Sequence, residues 1–250
     1  MRTTTDAVPE CVSAVDAIFT AVFARIDEWR SYVERLAELS DGAVAREAVD
    51  TLVESVVVPV LERSGALEIG GGFVAAPHVL ADADWHLAWW LGGSDGSGGG
   101  GPRVRRLLAA EDPGDDAFRD YTTLEWWRVP ATTGAPHITG PYVDYLCTDD
   151  YTLTLTAPVV HDGTMIGVVG ADLFVADVER SLLPYLRSVA ETTTLVNGWG
   201  RVVVSTDPHL ATGTILRVDG GRFSATGPAR LSDGRRVIPC GSTNLAFVVG

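Results

Sequence analysis

The chain has 250 residues, 46% of them hydrophobic, with 33 acidic and 19 basic side chains and a formal net charge of −14. That length and apolar content can bury one substantial core and are read as a single domain, while the negative field excludes a nucleic-acid partner, whose phosphates it would repel. The same field favours cationic ligands, although an acidic surface is also an ordinary solubility device.

The N-terminus, MRTTTDAVPECVSAVDAIF, combines one arginine with acidic residues and a proline and lacks the apolar run of a signal peptide. No window approaches the roughly 18 apolar residues of a membrane span; LVESVVVPVL is short and carries Glu54 and Pro59. These features predict a cytoplasmic chain without membrane contact. Cys11, Cys147 and Cys240 are scattered and form neither a disulfide framework nor a zinc spacing, so no metal or other cofactor is expected.

Val12, Val15, Phe19, Val22, Ile26, Trp29, Val33 and Leu36 recur at steps of three and four and predict a long helix, its stripe widened by Ile18, Phe23, Tyr32 and Leu39. Such a stripe either lies across a sheet within one chain or joins two copies as a homodimer. Ser40-Asp41-Gly42 breaks the pattern, and Ser40 or Asp41 offers an N-cap to a second helix. Val49, Leu52, Val53, Val56, Val57 and Val60 give that helix its buried face until Pro59 disturbs it. Residues 10–63 are thus helical.

Gly70-Gly71-Gly72 marks the change to strands, with 73–205 as the core and 206–250 as C-terminal strands. Trp85, Leu87 and Trp89 alternate with His86, Ala88 and Trp90, and Arg103 to Ala110 forms another short run. Between them, Gly92 to Gly101 lacks the Gly-Lys-Ser/Thr ending of a phosphate loop and reads as a flexible connection. Thr152, Thr154 and Thr156 alternate with Leu153, Leu155 and Ala157, a strand with one packed and one polar face. After the His161-Asp162-Gly163 turn, Ile166, Val168, Gly170 and Asp172 share one face of a strand over Met165 to Leu173, where Gly170 leaves room beside Asp172. Val175, Val178, Leu182 and Leu186 mark a short helix. Thr192 to Val196, Arg201 to Ser205 and Leu245 to Val249 complete the sheet, with Asn197-Gly198 as a hairpin signal.

The stretch from Tyr121 to Leu173 gathers Tyr121, Trp126, Trp127, Tyr142, Asp144 and Asp172. Aromatic faces attract cations, and a carboxylate on an apolar strand is costly to bury unless something positive meets it, so the set suggests an amine pocket. Each residue also has a structural reading. Tyr121 and Tyr142 suit core or rim positions, one of the paired tryptophans could fill the core, Asp144 could cap a turn, and Asp172 could cap the helix beginning near Phe174.

The order Trp126-Trp127, Pro141-Tyr142-Val143-Asp144, the threonine-rich strand ending Ala157-Pro158-Val159, Asp162-Gly163, and Gly167 to Leu173 resembles the Cache sensor domain, a PAS-like ligand-binding module. The resemblance is greatest to the amine-binding variant of the double-Cache type 1 family. It implies an α+β fold, with the long N-terminal helix packed on a mixed, mainly antiparallel β-sheet. It also implies that Tyr121, Trp126, Trp127, Tyr142, Asp144 and Asp172 bind the ligand. In amino-acid-binding members an arginine two positions before the aromatic pair holds the carboxylate; here that position is Leu124. The expected ligand is therefore a polyamine, biogenic amine or quaternary amine, and the expected role is that of a cytoplasmic sensor acting through a separate regulatory protein. An enzyme acting on an amine, a metal-dependent hydrolase built on Asp144, Asp149, Asp150 and Asp172, and a non-ligand-binding interaction protein are the alternatives. No His, Ser or Cys motif supports catalysis.

Overall fold

The computed structural model describes residues 4–92, 104–143, 150–216, 228–241 and 243–250. Helices α1 (Thr4–Leu39) and α2 (Arg46–Leu61) are followed by strands β1 (Glu68–Ala75), β2 (Leu87–Leu91) and the two-residue β3 (Arg105–Arg106). A single 3-10 turn (Tyr121–Thr123) leads into α3 (Glu125–Thr133), then β4 (His137–Val143), β5 (Tyr151–His161), β6 (Thr164–Phe174) and α4 (Val175–Leu186). Strands β7 (Thr193–Asn197), β8 (Val202–Ser205), β9 (Ala229–Arg230), β10 (Arg236–Pro239) and β11 (Leu245–Val249) complete the described elements. The fold is α+β, with sheets of order β3-β2-β1-β6-β5-β4 and β8-β7-β11-β10-β9. The pairings of β1 with β2 and β6, and of β11 with β7 and β10, are antiparallel.

Two compact units share the chain. The first comprises Met1–Ala21, Ile138–Leu153 and Phe174–Gly250; the second comprises Val22–His137 and Thr154–Leu173. The predicted helix is α1, but its buried stripe runs through Cys11, Val15, Phe19, Val22, Ile26, Trp29, Val33 and Ala37. Val12 and Leu36 are only half-buried, and Tyr32 and Leu39 are exposed. The phase follows an α-helix of 3.6 residues per turn rather than a heptad seam, so small side chains at both ends replace the large ones expected there.

In the second unit β1 lies between β2 and β6, and its glycines let other groups come close. A Cβ at Gly71 would lie 2.9 Å from the Trp29 ring of α1. Arg25 of α1 pairs through its guanidinium with buried Glu68 at the start of β1. The cap of α2 differs from expectation: Ala45 occupies the N-cap without a side-chain bond, and Asp82 accepts from the Arg46 backbone N–H at 2.8 Å instead. Pro59 sits in the last turn, where helix continues to Leu61. Of the run Arg103 to Ala110, the strand comprises Arg105–Arg106, and Gly93 to Arg103 lie outside the described residues.

In the first unit β7 carries both β8 and β11, so the C-terminal strands share one sheet with the strands before them. Val196, Val202, Leu216, Val237, Ala246 and Val248 form a core cluster there. Asn197, read as a hairpin signal, is buried at 3% exposure. Its Oδ1 accepts from the backbone N–H groups of Trp199 and Arg201, each at 2.9 Å, and its Nδ2 donates to the Gly140 carbonyl at 2.7 Å. Buried polar groups stripped of their partners cost about 1–3 kcal/mol, so Asn197→Ala is expected to lower unfolding free energy by about 2–4 kcal/mol in guanidinium melts. A loss below about 0.5 kcal/mol would show that the three bonds do not hold the turn.

Candidate functional site

The site is built on one face of the larger sheet in the second unit. Alternation along β6 places Asp172 and Gly170 on the same face, and the register sets Gly70 of β1 opposite Asp172, and Gly72 opposite both Gly170 and Trp89. Asp172 is 5% exposed. Thr154 of β5 donates its hydroxyl to Asp172 Oδ1 at 2.6 Å. A Cβ at Gly70 would lie 3.1 Å from Asp172 Oδ2, 3.1 Å from the Trp89 indole nitrogen and 3.0 Å from Leu91 Cδ2. A Cβ at Gly170 would lie 2.5 Å from the Leu155 carbonyl oxygen. The two glycines therefore allow backbone, indole and carboxylate to converge where any other residue would intrude.

Thr152, Thr154 and Thr156 are all buried, so the threonine face of β5 is polar but not solvent-facing. Its hydroxyls are used inside: Thr156 donates to the Trp126 carbonyl at 2.7 Å and so ties α3 to this face of the sheet. The helix ends at Gly134, whose left-handed φ of 67° allows its N–H to reach back to the Pro130 carbonyl.

Around α3 the aromatic rings interlock. Tyr121 stacks on Trp126 with centroids 6.2 Å apart and 27° between planes, and packs against Trp127 at 5.3 Å. Trp85 meets Tyr121 edge-on at 5.0 Å. The Tyr121 hydroxyl donates to the Ala75 carbonyl at 2.7 Å, and burial pushes its phenol well above the ordinary range. Tyr121 is therefore a backing ring with its polar end committed to the backbone. Trp127 is buried at 6% exposure, while Trp126 is half-buried.

Of the six residues singled out in the sequence, Tyr121, Trp126 and Trp127 form one aromatic cluster, and Trp126 and Asp172 are joined to the same face of β5 through Thr156 and Thr154. Tyr142 is half-buried on β4, in the first unit. Asp144, Cys147 and Asp149 lie outside the described residues. The helix-cap reading of Asp172 is excluded, because Phe174 holds the N-cap position of α4 and supplies no side-chain bond. Leu124 is the N-cap residue of α3 and 41% exposed. The residues that sequence reasoning missed are Thr154, Thr156, Trp89 and Gly70; threonines alternating within an otherwise apolar strand were their one local signal. Among the described residues no group of three or more His, Cys, Asp or Glu is placed to hold a metal.

The family model for the first PDC sensor domain of methyl-accepting chemotaxis protein-like receptors matches residues 109–180, a span containing all six candidates. A solved structure of methyl-accepting chemotaxis protein X is similar over 98% of this chain and 94% of its own, with TM-score 0.65 and 18% identity. The ligand-binding domain of the Pseudomonas fluorescens chemoreceptor CtaA, in complex with L-alanine, matches over 96% of this chain and 92% of its own (TM-score 0.55, 16% identity). The ligand-binding domain of the Pseudomonas aeruginosa PAO1 amino acid chemoreceptor PctB, in complex with L-Arg, matches over 98% and 85% (TM-score 0.57, 18% identity). No curated protein matches the sequence. The fold is thus the Cache, or PDC, sensor fold that the motif order resembles.

The packing separates the paired tryptophans. Trp127→Ala, which empties a buried site, is expected to lower stability by about 3–5 kcal/mol, whereas Trp126→Ala should cost less than about 2 kcal/mol by the same guanidinium melt. Equal losses would assign Trp126 to the core.

Proposed function

We propose that this chain is a ligand-sensing domain whose ligand is a small cationic amine, held by Asp172 and the aromatic side chains of α3. The observation that carries the reading is the buried carboxylate of Asp172, joined with Trp126 to the same face of β5 through Thr154 and Thr156. An ammonium donating to Asp172 makes a charge-assisted hydrogen bond in a partly desolvated setting, and its carbon substituents gain about 0.5–2 kcal/mol from each well-placed aromatic face.

The same arrangement argues for an amine over an amino acid. Several structural neighbours are described with amino acids bound, L-alanine in CtaA and L-Arg in PctB. A free amino acid carries a carboxylate that needs its own cationic or multi-donor partner. At the position where the resemblance calls for an arginine, this chain has Leu124, a side chain with neither charge nor donor. Arg128, on the far side of the aromatic pair, is exposed. The family model, which spans every candidate residue, supports the sensing role, and the chemistry of Asp172 and Leu124 supports the choice of ligand.

A thermal-shift screen followed by calorimetry tests this. Polyamines or quaternary amines are expected to raise the melting temperature and amino acids to leave it unchanged, because a ligand that binds only the folded state stabilises it. Asp172→Asn keeps the shape and the Thr154 contact but removes the charge. It should weaken amine binding by about 1.5–3 kcal/mol, roughly 10- to 150-fold. Unchanged affinity in that variant, or stabilisation by amino acids alone, would sink the amine reading.

A further inference from the structure

A second polar assembly in the same unit lies outside the site described above. His86 precedes β2 and is 2% exposed. Its Nε2 is 2.8 Å from Asp50 Oδ1 of α2, and its Nδ1 is 2.7 Å from Glu111 Oε1. Each ring nitrogen therefore faces a carboxylate oxygen, and the imidazole bridges α2 to the chain after β3. Arg106 of β3 adds a bidentate pair to Asp50 at 2.7 and 2.6 Å and lies over the Trp90 ring, its guanidinium carbon 5.5 Å from the centroid. Removing either carboxylate leaves a ring nitrogen of this buried side chain without its partner.

What the assembly holds is a stretch of chain with little regular structure. Residues 107–120 join β3 to the 3-10 turn at Tyr121 and contain neither helix nor strand. Glu111 fastens the start of this stretch to His86. The residue beside it, Trp85, fastens the end, meeting Phe118 edge-on at 4.9 Å and Tyr121 at 5.0 Å. Adjacent residues thus clasp both ends of one excursion, one through polar contacts and the other through rings. Beyond the second clasp come Tyr121 and the Trp126 ring stacked on it.

We propose that His86 is a positioning residue for the amine site: by tying Glu111 to Asp50 it fixes residues 107–120, and through Trp85 and Tyr121 it sets the seat of Trp126. This rests on the amine reading. His86 touches no ligand in this scheme; it acts by limiting the conformations the aromatic cluster can reach, which lowers the ordering cost of binding.

The test uses 1,4-diaminobutane and tetramethylammonium as probes, with calorimetric affinity and amide hydrogen exchange read on the same samples. A glutamine side chain cannot donate to carboxylates on opposite sides, so His86→Gln is expected to weaken the bound probe at least tenfold and to speed exchange across residues 107–123 while leaving β7 and β11 unchanged. Glu111→Gln should act in the same direction, and the double variant should be no worse than the poorer single, as for two residues sharing one contact. Wild-type affinity with unchanged exchange in His86→Gln overturns the proposal, as does exchange that rises uniformly over the chain. If His86→Gln fails to fold, Glu111→Gln alone gives the same two readouts, and the same outcomes support or overturn the proposal. If the wild type binds neither probe, the amine reading falls and the role in binding with it, and exchange alone decides the clasp: acceleration confined to 107–123 supports it and no change overturns it.

Discussion

A carboxylate almost wholly withdrawn from water on the face of a sheet sets the terms for the groups around it. An ionised Asp172 would cost several kcal/mol in that position without donors or a cation, and Thr154 supplies one strong donor at 2.6 Å. At Gly70 the absence of a side chain lets the Trp89 indole nitrogen, Leu91 Cδ2 and the carboxylate converge. Given this requirement, the buried threonines of β5, the glycine triplet of β1 and the aromatic helix joined through Thr156 are parts of one solution. They make a polar floor in an otherwise apolar sheet.

The solution is possible because β1 is covered on both faces. Gly70 and Gly72 turn toward the face of Asp172, Trp89 and Gly170, while Gly71 turns toward Trp29 of α1. Any side chain at Gly71 would push the helix off the sheet, and any at Gly70 would enter the space around the carboxylate. The strand therefore has almost no freedom to change position on one face without being felt on the other, since packed interiors have few compensating voids. The Arg25 and Glu68 pair fastens the start of the same strand to the same helix. Packing, not hydrogen bonding alone, is what makes the floor of the site rigid.

Much of this was legible in the sequence where the signal was local. The period-two pattern located β6 and β11, the period near 3.6 located α1 and α4, and Asn197-Gly198 marked a real hairpin. The order of short motifs pointed to the sensor fold. What escaped was fixed by partners distant in the chain. Asp82 caps α2 from 36 residues away, a role no local reading assigns. The threonines of β5 read as a polar face, and their spacing is the same whether water or protein receives the hydroxyls. Cys11 and Ala37 complete the stripe of α1, yet small residues carry little weight in a hydrophobic pattern. A lone histidine gives no signal at all, and His86 acquires its meaning from Asp50 and Glu111, 36 and 25 residues distant.

The choice of ligand class turns on what the site would do to a negative charge. Near buried Asp172, a ligand carboxylate suffers like-charge repulsion as well as lost hydration, and a juxtaposition of that kind costs several kcal/mol unless a cation intervenes. An amino acid can offset this only if its carboxylate reaches a donor set well away from the aspartate. Leu124, at the mouth of α3 and 41% exposed, offers contact area but no donor from its side chain. An amine without a carboxylate incurs no such penalty and keeps the full attraction to Asp172 and the ring faces. On the proposed reading, selectivity rests on the donor that Leu124 lacks as much as on the carboxylate of Asp172, because discrimination is a difference between two affinities and raising the cost of the wrong ligand serves as well as improving the right one.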